Sequence, residues 1–361
     1  MFSLKSIMKN SIIALTSLAF ITGCNSTSSP LSTNNLMFSA SSYQSSFLFI
    51  PNRMFNVVYD PPSYVNSSTF SEKPITFGDA EYPLSGTLTI PKTKGKYPVI
   101  VLVHGSGPND RDESLGANKP FRDIAWSLAS QGIGTFRYEK RTKVYAEKMI
   151  KIKDGFTVKE EVTDDAHYAV NFLKTQNDID SDKIFILGHD LGGMLAPKIA
   201  ANDPNIAGII IMAGNTKPLE DVMINQVENS TFISTSDKIK FKNQVNNVKL
   251  LNKNSSLIIG SLPYDIPPKY WLDLNNYSQT DTAKSLNKPI LIIQGEKDEQ
   301  VDMNNFMVWK NALSEQKNVT FYSYPNLNHL FFVGKLEDDN NKPNHINESV
   351  IKDLINWIKS N

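Results

Sequence analysis

The sequence is short of several things, and each shortage removes a class of function. It has one cysteine, Cys24, in 361 residues, so a domain that follows it holds no internal disulfide, whatever the redox compartment. Its 37 basic and 37 acidic residues cancel. That balance leaves no net field to gather nucleic acid or an anionic membrane surface, and it suits a small-molecule substrate better than a polyanion. The histidines and acids form no cluster with metal-ligand spacing, so neither a metal nor any other cofactor is expected. There is no internal repeat, and the apolar run near the start, Ser11–Ile21, is too short to span a bilayer.

What surrounds that run is informative. Lys5 and Lys9 precede it and Ile21-Thr22-Gly23-Cys24 closes it. A basic start, a short apolar stretch and small residues ending at a cysteine have the layout of a signal peptide with a bacterial lipobox. The expectation is removal of residues 1–23 and a lipid on Cys24. That lipid would hold the protein on the extracytoplasmic side of a bacterial membrane. The simpler reading is a secretory leader with an incidental cysteine. From Asn25 to about Ser46 the chain is rich in Ser, Thr and Asn, with little to bury. Residues 24–74 therefore read as lipidated terminus, tether and lead-in, and structure is expected to begin near Ile75.

Beyond Ile75, apolar runs alternate with helical patterns. Leu84–Ile90, Val99–Val103, Gly134–Tyr138, Ile184–Leu187, Ile206–Met212, Ile290–Ile293 and Val319–Tyr322 read as strands; Phe121–Ser130, Val158–Leu173, Leu191–Ala201 and Ser349–Ile358 read as helices. Such alternation predicts an α/β fold with a mostly parallel sheet and helices on both faces, over 75–361. Ligand sites of such sheets lie at the carboxyl ends of the strands. The alternation breaks at about 215–287, a lysine- and asparagine-rich stretch too long for a structureless loop, which is expected to be an inserted helical cap. Tyr264, Tyr270, Trp271 and Tyr277 within it are candidates to line a substrate pocket, although each taken singly reads as packing.

The strand ends carry the chemistry. Gly188-His189-Asp190-Leu191-Gly192 lies between a strand and a helix, in the Gly-x-nucleophile-x-Gly pattern of a nucleophile elbow, with Asp190 at the centre. Asp298 follows the strand Ile290–Ile293, and His329 follows Val319–Tyr322. Nucleophile, acid and histidine thus arrive in the chain order that an elbow-based site needs. His104-Gly105-Ser106-Gly107 follows an early strand, where one oxyanion donor can sit, and the backbone N–H of Leu191 can be the other. Glu296 or Asp302 could replace Asp298 as the acid. His104 and His189 read as loop-shaping, His167 and His345 as structural.

The run from Val101 to Arg141, beginning VLVHGSGPND, together with GHDLGGMLAP, ILIIQGEKDEQV and YPNLNHLFF, resembles a bacterial family of α/β-hydrolases. These are related to dienelactone hydrolases and serine aminopeptidases and are usually described as esterases. The resemblance covers Ile75 to the C-terminus. It implies an α/β-hydrolase fold and hydrolysis of small carboxylic esters, with Asp298 as triad acid, His329 as base, and Ser106 and Leu191 as oxyanion donors. The departure is Asp190, where the family has serine.

That departure leaves three readings open. A carboxylate attacking an ordinary ester would have to expel an alkoxide far more basic than itself, so ester hydrolysis would have to use water activated jointly by Asp190 and His329. Attack on saturated carbon is chemically easier, and makes an Asp-nucleophile hydrolase of alkyl halides or epoxides the second reading. The third is a non-catalytic binding lipoprotein that keeps the hydrolase fold.

Overall fold

Val99–Val103, Ile184–Leu187 and Ile209–Met212 are apolar on both sides, the pattern of strands covered on both faces, and they form the middle of an eight-stranded sheet. The computed structural model describes residues 59–361 apart from 153–154, 231–232, 254, 256–259 and 335–342. The leader, Cys24 and the tether lie outside the described residues. The strands are β1 (Phe70–Phe77), β2 (Leu84–Pro91), β3 (Tyr97–Val103), β4 (Gly134–Tyr138), β5 (Ile179–His189), β6 (Ile206–Met212), β7 (Ile290–Gly295) and β8 (Val319–Tyr324). Their order is β1-β2-β4-β3-β5-β6-β7-β8. β1, β2 and β4 pair antiparallel; every later pairing is parallel.

β1 corrects the expected start of the fold, because it opens at Phe70, upstream of Ile75. Its residues FSEKPITF show no clean alternation and are mostly exposed. This is an edge strand, and charge and proline on an edge blunt pairing with other chains. The lead-in is also tied down. Tyr59 donates to Asp123 at 2.6 Å, and Tyr64 donates to the Ile346 carbonyl.

Among the described residues, nine helices of seven residues or more cover the sheet or leave it: α1 (Pro120–Ala129), α2 (Asp164–Lys174), α3 (Leu191–Ala201), α4 (Leu219–Asn229), α5 (Thr235–Lys249), α6 (Pro268–Asn275), α7 (Gln279–Ser285), α8 (Met303–Leu313) and α9 (Glu348–Ser360). Shorter helical turns lie between β4 and α2. α9 shows how the sequence builds one. Asn347 caps it by accepting from the Ser349 N–H, and Val350, Ile351, Leu354, Trp357 and Ile358 fall on one buried stripe. That stripe joins Phe121, Ile124 and Leu128 of α1 in the core on one face of the sheet. A second core, with α2, α3 and α8, fills the other. Fully burying each such large apolar side chain contributes roughly 1.5–3 kcal/mol. Between β6 and β7 the chain runs through α4 to α7 before returning to the sheet. Among the described residues no helix is long and apolar enough to cross a membrane.

Candidate active site

β5 ends at His189, α3 begins at Leu191, and the turn between them has room for no side chain but one. A Cβ on Gly188 would lie 2.1 Å from the Gly192 carbonyl oxygen, and one on Gly192 would lie 2.2 Å from that of Val103. Asp190 itself sits at φ 50°, ψ −113°, a region that costs a non-glycine residue about 1–3 kcal/mol. The surroundings enforce it: Asp190 N–H donates to Met212 O at 3.0 Å, and Met194 N–H donates to Asp190 O at 2.9 Å. The result lifts the carboxylate to the end of β3, where Ser106 N–H donates to its Oδ2 at 3.0 Å. Leu191 N–H opens α3 and has no acceptor inside the helix.

The other two candidates meet each other directly. His329 Nδ1–H donates to Asp298 Oδ2 at 2.8 Å. Three more donors hold that carboxylate at 2.8 Å each: Gln294 Nε2 on Oδ2, and the Gln300 and Val301 N–H groups on Oδ1. The alternative acids are engaged elsewhere. Glu296 accepts from Ser323 Oγ at 2.8 Å, and Asp302 caps α8 and pairs with Lys217 at 2.9 Å. Among the described residues no hydrogen bond joins Asp190 to His329.

His189 links the two halves. Its Nδ1 meets Glu113 Oε2 at 2.9 Å, its Nε2–H donates to the His329 carbonyl at 3.1 Å, and its ring centre lies 4.6 Å from that of His329. Glu113 Oε1 in turn accepts from Gly105 N–H at 2.6 Å. The Gly105 carbonyl accepts from Lys140 Nζ at 2.8 Å, and Lys140 pairs with Glu161 at 2.8 Å. The loop that presents Ser106 N–H is therefore clamped through both polar groups of Gly105. Burial alone would lower the His189 pKa, but the Glu113 carboxylate overrides it, and with the Asp190 charge and the His329 carbonyl holds it up to about 9. Burial alone would raise Glu113; the facing imidazolium and the Gly105 N–H keep it below the usual carboxylate range instead. His104, by contrast, is buried against the Phe121 and Tyr138 rings, and burial drops it to about 4. It is neutral at pH 7 and does not share in the charge of the site.

A pH dependence of stability follows. His189 has a folded-state pKa of about 9, above its ordinary 6.5, so its contribution is complete below pH 6.5 and is lost as pH rises through 9. Urea unfolding between pH 6.5 and 9.5 is expected to show a loss of about 3 kcal/mol, absent from His189→Gln. An equal loss in that variant would remove His189 as the cause.

A pocket opens beside the elbow, walled by Ser106 and Leu191, by Glu161 and Phe156, and by Leu219, Met223, Tyr264, Ile266 and Tyr270 from the segment between β6 and β7. Tyr264 and Tyr270 thus border the hollow. Trp271 does not, which corrects its place among the pocket candidates. Its ring is wholly buried, edge-on to Tyr270 at 5.8 Å, because successive helical residues point in different directions. Tyr277 donates to the Met194 carbonyl at 3.0 Å and ties the insertion to α3. His167 meets the Ile199 carbonyl at 3.0 Å and His345 meets Asp123 at 3.2 Å, both structural. Burial, and then the Glu161 carboxylate to which it donates, raise the Tyr270 hydroxyl well above its ordinary pKa. Sequence reasoning did not single out Glu113, Lys140 or Glu161. Among the described residues no three His, Cys, Asp or Glu side chains are grouped to hold a metal.

Comparison with known proteins places this geometry. Residues 98–335 match the family described as "Serine aminopeptidase, S33". Esterase EstD of Thermotoga maritima is 36% identical over 303 residues, 83% of this chain and 70% of that protein. The uncharacterized peptidase YtmA of Bacillus subtilis is 23% identical over 279 residues, 77% of this chain and 89% of its own length. Among solved structures, Est1E from Butyrivibrio proteoclasticus superposes with a TM-score of 0.53 at 15% identity, covering 80% of this chain and 98% of that one. The last likeness is one of fold, and that fold is the α/β-hydrolase fold.

Proposed function

Because the chain belongs to the serine aminopeptidase S33 family of α/β-hydrolases, we propose that its site hydrolyses small carboxylic esters with good leaving groups. The observation that carries this is the Asp298–His329 pair, 2.8 Å apart at the sheet edge that also presents the elbow and the Ser106 N–H. Asp298 holds the proton on Nδ1 and leaves Nε2 of His329 to take one from water. The Leu191 and Ser106 N–H groups would hold the oxyanion as that water adds to the ester carbonyl. Asp190 competes with the substrate for Ser106 N–H, so activated esters are favoured over alkyl ones. The apolar wall of the pocket, with Leu219, Met223 and Ile266, suits a small apolar acyl group. The same reading places the folded domain outside the cytoplasm, on a bacterial membrane through a lipid on Cys24, with no nucleic-acid partner. It rests on the leader pattern and the balanced charge.

Hydrolysis of p-nitrophenyl acetate tests the catalytic part. His329→Gln is expected to lower kcat/KM about a hundredfold. Equal rates for the two proteins would sink the assignment of His329.

A further inference from the structure

Asp190 is seated as if it were already part of an ester. Its Oδ2 accepts the Ser106 N–H at 3.0 Å, which is the place a carbonyl oxygen takes when its carbon is attacked. Oδ1 makes no hydrogen bond among the described residues. An ester formed through Oδ1 would present Oδ2 as its carbonyl oxygen, with its donor already in position, and Cγ as the carbon for water to attack. The Ser106 donor of the site thus already fits one ester, an ester of Asp190 itself. We infer that the protein also hydrolyses epoxides, through an alkyl ester on Asp190 Oδ1 that the His329–Asp298 pair then cleaves.

The electron count closes. Oδ1 attacks an epoxide carbon, the new C–O bond forms, and the ring C–O bond breaks with its pair going to the ring oxygen. That oxygen takes the Tyr270 hydroxyl proton. Water then adds to Cγ with His329 Nε2 accepting its proton, and the oxyanion on Oδ2 is held by Ser106 N–H. Collapse breaks the alkyl-oxygen-to-Cγ bond, the leaving oxygen takes the proton back from His329 Nε2 and departs as the second hydroxyl, and the Asp190 carboxyl returns to its carboxylate by losing the acid proton. The proton released by ester cleavage restores Tyr270. The net reaction is epoxide plus water to diol.

The walls of the pocket select this class over alkyl halides. A departing halide is an anion that takes no proton and needs N–H donors around it. Of the N–H donors that border the hollow, that of Ser106 is already occupied by Asp190. An epoxide oxygen keeps its bond to the substrate and needs only a proton, and Tyr270 borders the same hollow. Burial and Glu161, to which it donates, keep the hydroxyl protonated at rest, and Lys140 neutralises Glu161 at 2.8 Å. Phe156, Leu191 and Met223 favour an apolar substituent.

The inference shares its general base with the ester reading but not its substrate, so the two fail separately. Styrene oxide is the probe. After a single turnover of the full chain in heavy-oxygen water, the peptide bearing Asp190 is expected to carry one heavy oxygen. In His329→Gln that peptide is expected to accumulate heavier by one styrene oxide, and Tyr270→Phe should form the adduct about a hundredfold more slowly. No diol, an unlabelled Asp190 after verified turnover, or turnover of 1-bromobutane without turnover of the epoxide would each overturn it. The first two results can stand beside intact p-nitrophenyl acetate hydrolysis, which would leave the ester reading in place. The labelling uses the native chain, so it holds even where a variant does not fold.

Discussion

Asp190→Ser is expected to raise kcat/KM for p-nitrophenyl acetate about a thousandfold. Everything a serine nucleophile needs is present except the serine. The elbow holds residue 190 at φ 50°, ψ −113° for any L side chain, so the hydroxyl would inherit the position of the carboxylate. The base is polarised by Asp298 at 2.8 Å. The change also vacates Ser106 N–H, which Asp190 Oδ2 now occupies at 3.0 Å, since a serine hydroxyl is shorter and carries no second oxygen. One recovered oxyanion donor is worth about 10²–10³ in rate. The tetrahedral adduct of a serine alkoxide collapses forward by expelling the less basic p-nitrophenolate, whereas the adduct of a carboxylate collapses backward by expelling the carboxylate itself. Parallel assays of the two proteins decide the matter. An unchanged or lower rate in the variant would mean that the base and the donors are not aligned on residue 190, and the ester reading would fall with them.

How far the sequence exposes this site depends on the range of the interactions involved. The elbow is legible because its constraints are local: Gly188 and Gly192 are required by contacts across a single tight turn, and the Ile- and Val-rich runs of β3, β5 and β6 advertise strands covered on both faces. Asp298 is legible because it follows such a run, β7, and His329 because it follows the last strand, β8. The clamp around Gly105 is not. His189 and Glu113 are 76 positions apart, and only tertiary packing turns a strand-end histidine and a loop glutamate into a buried ion pair. Lys140 and Glu161 meet across a shorter but still nonlocal contact, the latter from a π-helical turn, Lys159–Thr163, that no period in the sequence marks. β1 is hidden for the opposite reason. As an edge strand its charges and proline erase the alternation that reveals the others.

In the Asp190→Ser background, Asp298→Asn is expected to remove all of the roughly thousandfold recovered activity, because a histidine held in the wrong tautomer costs up to about 10⁴ in rate. Four donors converge on the Asp298 carboxylate: His329 Nδ1, Gln294 Nε2 and the Gln300 and Val301 N–H groups. An asparagine has one acceptor oxygen to offer. If that oxygen stays on the two backbone N–H groups, its NH₂ faces His329 and Gln294, a donor against donors. The imidazole relieves the clash by moving its proton from Nδ1 to Nε2, and a protonated Nε2 cannot take a proton from serine or water. If the amide flips instead, two backbone donors lose their acceptor inside a buried site, at about 1–3 kcal/mol each. The first outcome costs rate with little stability, the second costs stability as well. Measuring the rate beside the urea midpoint separates them. A variant that keeps both within a few-fold of the parent would show that Asp298 neither sets the tautomer nor orients the ring, and His329 would then have no physical basis for acting as the base.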